Sequence, residues 1–136
     1  MGDEQLERNA DVVRRQIAAM EHPDAAAQAA LMTDDVAWWV PASSVEAAGI
    51  ARPLVGREAV TAMLGGAGAW YAELHWTIDH LVAQGDLVAA FAHMDGVTTS
   101  GNDYSSDYAF CYRLVDGKIA EIWEHADTAY AYAKVH

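Results

Sequence analysis

The second half of the chain, from Tyr71 onward, restricts the fold more than any other part of the sequence. It contains four long segments rich in aromatic and β-branched residues, "LHWTIDHLVA", "DLVAAFAHMDGVTT", "DYSSDYAFCYRLV" and "KIAEIWEHAD", separated by "QGD", "SGN" and "DG". Aromatic and β-branched residues favour strands, and short turns of Gly, Asn and Asp connect adjacent antiparallel strands. The pattern therefore predicts an antiparallel β-meander.

The first half of the chain has a helical pattern instead. Apolar residues near the N-terminus recur every three or four positions, at Leu6, Ala10, Val13, Ile17 and Met20. This spacing is typical of an amphipathic helix, and a short Ala-rich helix follows it. "DVAWWVP" then predicts a strand, "SSVEAAGIARPLV" a loop, and "GREAVTAMLGG" a third short helix closed by Gly65 and Gly66. Helices first and strands afterwards predict an α+β protein, with the helices packed on one face of a curved sheet.

Length, charge and cysteine content narrow the class of protein. The 136 residues are enough for one ordinary domain, and 53% of them are hydrophobic. The formal net charge of −12 argues against nucleic acid as a partner, because a polyanion repels phosphate. No apolar run approaches the ~20 residues of a membrane-spanning helix, and the polar N-terminus lacks a signal-peptide pattern. Cys111 is the only cysteine, so no intramolecular disulfide is expected, and we expect a cytoplasmic protein without a membrane partner.

The last two strands can be paired from their turn. Asp116-Gly117 is the preferred sequence of a two-residue hairpin loop. Counting outward from this loop pairs Phe110 with Trp123, and Tyr108 with His125. Directly opposed residues share one face of a sheet, provided that no bulge or one-residue slip intervenes. The four side chains are therefore predicted to lie together on the inner face.

The preceding hairpin is paired in the same way, with Gly101-Asn102 as its loop. Asp95 then lies opposite Tyr108, and His93 lies opposite Phe110. The inner face thus gains two further ionisable groups. The opposite, outer face of the last two strands collects Ala109, Cys111, Arg113, Ala120, Ile122 and Glu124. On that face Glu124 is predicted to be a solvated or interface charge.

An aromatic face that also carries several ionisable groups is not a sealed core, because each unpaired group would be costly to desolvate. It predicts an apolar pocket with converging polar groups, the usual form of a small-molecule site. The candidate catalytic residues are His125, Asp95, His93, Asp127 and Tyr108. The candidate substrate-binding residues are Trp38, Trp39, Trp76, Phe91, Phe110 and Trp123. Each His–Asp pair also has an alternative interpretation, a structural hydrogen bond.

Metal and cofactor sites have little support in the sequence. His93, His125 and Asp95 are suitable ligand types, but no compact His-x-His or cysteine signature accompanies them. "GAGAW" lacks the strand–loop–helix context of a phosphate-binding loop. We therefore expect neither a metal nor a cofactor.

Three stretches in order, "LMTDDVAWWVP", "GREAVTAML" and "DGKIAEIWEHADT", resemble the nuclear transport factor 2-like superfamily. The resemblance is greatest to its SnoaL-like polyketide cyclase, limonene epoxide hydrolase and ketosteroid isomerase-like branches. It implies one domain over residues 1–136, a cone-shaped roll in which three N-terminal helices pack on a strongly curved, mostly antiparallel sheet around an apolar pocket. It also implies a homodimer formed through the outer face of the sheet.

The resemblance can be carried to individual residues. The epoxide hydrolases of this group hold and activate a water with an Asp–Arg–Asp constellation. Its Arg-x-Asp falls on His93-Met94-Asp95, and its other Asp falls on His125, so that only Asp95 is retained. Cyclase-type relatives place an acid–base carboxylate on the last strand, where this chain has His125 and Asp127. Dehydratases of the same fold use His–Asp pairs, which Asp95 and His125 resemble.

Three hypotheses about function follow. The first is an enzyme that transfers protons on a small, largely apolar, cyclic metabolite, as an isomerase, cyclase or dehydratase. His125 would be the general acid or base, oriented by Asp95 or Asp127. His93 and Tyr108 would donate hydrogen bonds to a developing oxyanion. The second hypothesis is epoxide hydrolysis by a modified triad, and the third is a non-catalytic ligand-binding or dimerisation module of the same fold.

Overall fold

The computed structural model describes residues 2–22 and 24–136. The helices are α1 (Gly2–Ala19), α2 (Ala25–Ala30), α3 (Ser43–Ala48), α4 (Arg57–Gly65), continued by a 3-10 turn (Gly66–Ala69), and α5 (Thr128–Val135). The strands are β1 (Met32–Trp39), β2 (Leu54–Val55), β3 (Tyr71–Gln84), β4 (Leu87–Thr98), β5 (Asp103–Val115) and β6 (Lys118–Ala126). None of the described helices has the length and apolar character needed to cross a membrane.

The six strands form one curved, open sheet in the order β2-β1-β6-β5-β4-β3. The four long strands pair antiparallel, each with its neighbour in sequence, which confirms the predicted meander. β1 joins this meander by parallel pairing with β6, and β2 adds a short antiparallel edge. The helices cover the inner face of the sheet, so that the predicted α+β class is also confirmed.

Helix α1 covers the sheet with the stripe that the sequence predicts. Ala10, Val13 and Ile17 are buried, and Gln16 is buried among them. The Tyr112 hydroxyl of β5 donates a hydrogen bond to Gln16 Oε1 at 2.7 Å, and Gln16 Nε2 donates to Gln28 Oε1 of α2 at 3.3 Å. This network joins two helices to the centre of the sheet and leaves its buried polar groups paired.

The segment predicted as a loop between β1 and α4 contains two elements. Helix α3 lies there, ending at Gly49, whose φ of 66° suits a left-handed cap and whose N–H donates to Val45 O. Strand β2 pairs Leu54 and Val55 with Trp38 and Ala37. The loop prediction is wrong because a six-residue helix and a two-residue strand are too short to display a periodic pattern.

The last hairpin begins as predicted and then changes register. Asp116 and Gly117 both have positive φ, 50° and 77°, as a type I′ turn requires. Val115 faces Lys118, and Leu114 faces Ile119. The register shifts by one residue at the next pair, with Ala120 as the extra residue in β6.

This bulge overturns the predicted pairing of β5 with β6. Tyr108 faces Ala126 rather than His125, and Phe110 faces Glu124 rather than Trp123. Since side chains alternate between the two faces of a strand, a shift of one residue inverts every later position. Glu124 therefore moves to the inner face of the sheet.

The hairpin of β4 and β5 also differs from the prediction. Thr98 N donates to Asn102 O at 2.8 Å, so that three residues form the loop instead of the two at Gly101-Asn102. Ala92 faces Tyr108, and His93 faces Asp107 on the outer face. The pairing is displaced by three residues, an odd number, which again exchanges the two faces.

Together the two shifts place five of the predicted inner residues on the outer face: Phe91, His93, Asp95, Trp123 and His125. The predicted pairs Asp95–Tyr108, His93–Phe110 and Tyr108–His125 are wrong for this reason. The inner positions of Tyr108 and Phe110 are confirmed.

A close approach between β3 and β4 makes Gly96 a stability determinant. A Cβ atom at Gly96 would collide with the backbone oxygen of Glu73, where the pairing of β3 is irregular. We predict that Gly96→Ala lowers the free energy of unfolding by about 2 kcal/mol or more, because a backbone atom cannot move aside as a flexible side chain can. Urea unfolding followed by circular dichroism measures this.

Gly65→Ala is the matched control. Gly65 ends α4 with φ of −64°, and a Cβ atom at this position would meet nothing within 4 Å beyond its chain neighbours and the backbone of its own helix. This variant should be neutral or slightly stabilising, since Ala favours helix over Gly. Equal stability of the two variants would contradict the steric argument.

Candidate active site

A cavity of about 370 Å³ lies between the inner face of the sheet and the helices. Its wall is largely apolar and includes residues from α3, α4, α5 and the long strands of the inner face. The lining includes Trp38, Tyr71, Trp76, Tyr108, Phe110 and Glu124, with Ser44, Thr128 and Tyr132 at the α3–α5 side. The volume is within the range of small-molecule sites.

Small residues on β4 make room for the aromatic part of the wall. Ala92 faces Tyr108 across the sheet, and Ala90 faces Phe110. Trp76 of β3 extends over this space, with its ring centroid 4.9 Å from that of Tyr108 and 5.8 Å from that of Phe110. The rings of Tyr108 and Phe110 are nearly parallel, 5.9 Å apart. Offset and edge-to-face contacts of this kind fix the orientation of each ring.

Glu124 brings an ionisable group into this wall. Among the described lining residues it is the only carboxylate, and none is a Lys, Arg or His. Trp38 Nε1 donates a hydrogen bond to Glu124 Oε1 at 3.0 Å. Burial raises the pKa of Glu124 to about 7, and the hydrogen bond from Trp38 opposes that rise. A carboxyl group of this kind exchanges protons near neutral pH.

Phenol groups lie on the neighbouring strand of the same face. Tyr108 is the diagonal neighbour of Glu124 across β5 and β6, and its hydroxyl is 2.6 Å from that of Tyr104. Burial raises the pKa of Tyr108 well above its ordinary value, and the adjacent Tyr104 and Glu124 add to the effect. Burial likewise raises the pKa of Tyr71, another lining residue. Both phenols are therefore neutral near pH 7 and can donate hydrogen bonds.

Helix α5 completes the wall beside α3. The Tyr132 hydroxyl donates to Ser44 Oγ at 2.9 Å, and Ser43 Oγ donates to Thr128 Oγ1 at 2.6 Å. Asp127, a predicted catalytic residue, begins this helix instead. Its exposed carboxylate accepts a hydrogen bond from Tyr130 N at 3.1 Å, as an N-cap does, and it does not line the cavity.

His93 is the centre of a polar cluster on the outer face. Its Nδ1 lies 2.7 Å from Asp107 Oδ1, and its Nε2 lies 2.8 Å from Ser105 Oγ and 3.2 Å from Asp95 Oδ1. The hydrogen bond with Asp107 raises the pKa of His93. His125 is exposed on the same face, and none of these side chains lines the cavity. The structure brings His93 and Asp95 together on the outer face, whereas Tyr108 faces the cavity on the other side of the sheet.

The predicted aromatic residues divide between the two faces. Trp38, Trp76 and Phe110 line the cavity, as expected. Phe91 is 49% exposed on the outer face, and Trp123 and Trp39 also lie there. Trp39 Nε1 donates to Glu121 Oε2 at 2.9 Å, on the side of the sheet away from the cavity.

Sequence reasoning missed Glu124, because strict alternation assigned it to the outer face. One signal was available in "KIAEIWEHA". Ile119 and Ile122 are three residues apart, and a strand can turn both toward the same buried face only with a bulge between them. Among the described residues, no group of three or more suitable side chains is arranged to hold a metal ion.

A curved, open sheet covered by helices around a ligand-sized cavity is the architecture of nuclear transport factor 2-like proteins. The sequence model of the SnoaL-like domain matches residues 13–122. The chain therefore belongs to the SnoaL-like family. A comparison with curated protein sequences gave no match.

Solved structures share this fold. A nuclear transport factor 2-like protein of unknown function from Burkholderia pseudomallei is 20% identical with a TM-score of 0.84, over 94% of this chain and 97% of the other. A protein described as a SnoaL-like polyketide cyclase from a Jannaschia species is 16% identical with a TM-score of 0.81, over 95% and 92% of the two chains. An epoxide hydrolase of the limonene epoxide hydrolase type from M. tuberculosis is 12% identical with a TM-score of 0.75, over 96% and 91%.

The position of Glu124 predicts a pH-dependent effect on stability. Its folded pKa of about 7 is above the value of ~4.3 expected when unfolded. The unfolded state therefore loses this proton first as the pH rises from 4 to 7, and the native protein loses stability. We predict that Glu124→Gln gains up to about 3 kcal/mol relative to the wild type between pH 4 and pH 8.

Urea unfolding of both proteins at several pH values measures the difference. Glu121→Gln is the control, because Glu121 lies on the outer face and pairs with Arg113 at 2.9 Å. It should show no gain toward higher pH. A constant difference between Glu124→Gln and the wild type from pH 4 to pH 8 would contradict the raised pKa.

Proposed function

We propose that the chain is an enzyme that transfers protons on a small, neutral, largely apolar and ring-containing molecule bound in the cavity. Glu124 is the general base that removes a proton from carbon. It then gives the proton to another carbon in an isomerase, to the new alkoxide oxygen in a cyclase, or to the leaving hydroxyl group in a dehydratase. The observation that carries the proposal is Glu124, the single carboxylate among the described residues of a largely apolar wall, with its pKa raised to about 7. A base with this pKa operates efficiently near neutral pH.

The second element of the mechanism is a hydrogen-bond donor. Removal of a proton beside a carbonyl group develops negative charge on the carbonyl oxygen. Tyr108 is neutral, lines the cavity on the strand beside Glu124 and receives support from the Tyr104 hydroxyl at 2.6 Å. We assign it to hydrogen-bond this oxygen, a role that is typically worth 10²–10³ in rate, or roughly 3–4 kcal/mol.

The lining also defines the class of ligand. Trp38, Trp76 and Phe110 offer flat apolar surface, which suits ring systems. No described lining residue carries a positive charge, so a phosphate or carboxylate in the ligand would lack a partner and face Glu124. We therefore propose a neutral ligand.

The two other hypotheses differ in their support. The modified epoxide hydrolase triad consists of His93, Asp95 and His125, and none of these residues lines the cavity. The geometry therefore favours proton transfer by Glu124 over that triad. Non-catalytic binding remains the second candidate, because the apolar cavity itself would serve it.

Proton transfer can be tested before the reaction subclass is identified. The protein is incubated in D₂O with a panel of neutral cyclic ketones, and mass spectrometry detects deuterium incorporated at carbon. We predict that Glu124→Gln lowers the exchange rate by ~10³-fold or more, whereas Tyr108→Phe lowers it by ~10²-fold. With Glu124 as the base, the rate should rise with pH through about 7 and then level off.

Glu121→Gln is the matched control for this assay, since Glu121 lies on the same strand but on the outer face. It should retain the wild-type rate and pH profile. A Glu124→Gln variant that exchanges at the wild-type rate would refute the catalytic assignment. Saturable binding of a panel member without any exchange would support the binding module instead.

We also propose that the chain forms a homodimer through the outer face of the sheet. Phe91 and Trp123 provide exposed or partly exposed apolar surface there, between Ala89, Ala109 and Cys111. Contiguous apolar surface of this kind on a sheet is typical of association sites.

Sedimentation velocity measures the assembly state. We predict that the wild type sediments as a dimer and that Phe91→Lys sediments as a monomer, because the new charge would be buried at the interface. Val55→Lys is the control, since Val55 is 58% exposed on the distant edge strand β2. A monomeric wild type at micromolar concentration would exclude the dimer.

A further inference from the structure

The strand pair β1–β6 carries the same contact twice, once on each face of the sheet. On the inner face Trp38 Nε1 donates to Glu124 Oε1 at 3.0 Å. On the outer face Trp39 Nε1 donates to Glu121 Oε2 at 2.9 Å. The parallel register sets Trp38 beside Ile122, which brings its indole within reach of Glu124 two residues further along β6.

The indole of Trp38 is held in one orientation. Its side chain is 2% exposed, and its ring meets that of Phe110 edge-on, with centroids 6.3 Å apart and planes at 84°. An indole N–H can only donate, so its partner atom on Glu124 must be an acceptor. This is the only side-chain hydrogen bond of Glu124 within the described residues. Oε1 is thus engaged, and Oε2 is the oxygen left for another partner.

We infer that Trp38 is a positioning residue for Glu124: its indole N–H holds Oε1, favours the ionised carboxylate, and presents Oε2 as the oxygen that takes and returns the proton. This inference rests on the proposed role of Glu124 as the base. Its physical basis is that a donor to a carboxylate stabilises the charged form, against the burial that destabilises it.

The variant Trp38→Phe tests the inference by removing the donor and retaining an aromatic ring. The apparent pKa of Glu124, followed by carbon NMR of labelled glutamate side chains, should rise by about one pH unit. The exchange rate should fall about 5-fold at pH 7, as the ionised fraction of Glu124 does, and recover above pH 9, where Glu124 is ionised in both proteins. A loss caused only by altered cavity shape would persist at high pH.

Trp39→Phe is the matched control. It removes an equivalent indole from the neighbouring position, where the structure places the side chain outside the cavity. The pKa of Glu124 and the pH profile should remain those of the wild type. If the pKa of Glu124 is unchanged in Trp38→Phe, the inference about Trp38 is wrong, but Glu124 can still be the general base. If Glu124→Gln is active, the assignment of Glu124 as the general base is wrong.

If Trp38→Phe does not fold, a measurement on the Trp38 side chain of the wild type tests the inference instead. The indole N–H resonance of Trp38 in the wild type should shift with pH, with the same midpoint as the carboxyl carbon of Glu124. The shift should be absent in Glu124→Gln. An indole resonance that ignores the titration of Glu124 would refute the inference.

Discussion

The extra residue in β6 determines which side chains of the last strand face the cavity. Ile119 and Ile122 are both fully buried on the inner face although they are three residues apart, an arrangement that strict alternation of side chains forbids. The bulge at Ala120 allows both to face the core. Glu124, two residues beyond Ile122, consequently faces inward. Without the bulge, keeping Ile119 in the core would turn Ile122 and Glu124 to the outer face, and the cavity wall would have no carboxylate.

Placing the carboxyl group of Glu124 in the cavity wall lowers the stability of the protein, and favourable interactions elsewhere in the fold offset this loss. Burial raises the pKa of Glu124 to about 7 because its charged form loses hydration, and one hydrogen bond from Trp38 only partly compensates. The core beside the cavity is fully buried, and its central polar group, the Tyr112 hydroxyl, is paired with Gln16 at 2.7 Å. A fold tolerates one ionisable group in a largely apolar wall when the helices and strands that support the wall have well-paired polar groups.

The general architecture could be predicted from the sequence, since it depends on long periodic segments. The stripe of α1 and the Asp116-Gly117 turn are strong local signals, and both are confirmed. The inward side chains of Tyr108 and Phe110 are also confirmed. The resemblance to the SnoaL-like family was recognisable from the order of three stretches, and the family is confirmed over residues 13–122.

The prediction of the site depended on which face of the sheet each strand residue occupies, and local sequence signals determine this poorly. A three-residue loop in place of a two-residue loop, and one extra residue in β6, each inverted the faces of a strand. The two errors moved His93 and His125 into the predicted pocket and removed Glu124 from it. Turn composition could not distinguish the loop lengths, because Thr98 to Asn102 contains turn-forming residues throughout.

The observed strand registers also place two kinds of ionisable groups on opposite faces of the sheet. The outer face holds the His93 cluster, where the hydrogen bond with Asp107 and the nearby Asp95 raise the pKa of His93 although partial desolvation lowers it. The inner face holds Glu124 and Tyr108, whose pKa values burial raises from different starting points, so that one titrates near pH 7 and the other stays protonated. A base and a neutral donor can therefore coexist in the cavity at the same pH. Because the inner wall offers no positive charge among its described residues, this pairing suits a reaction in which a neutral ligand develops negative charge only in the transition state.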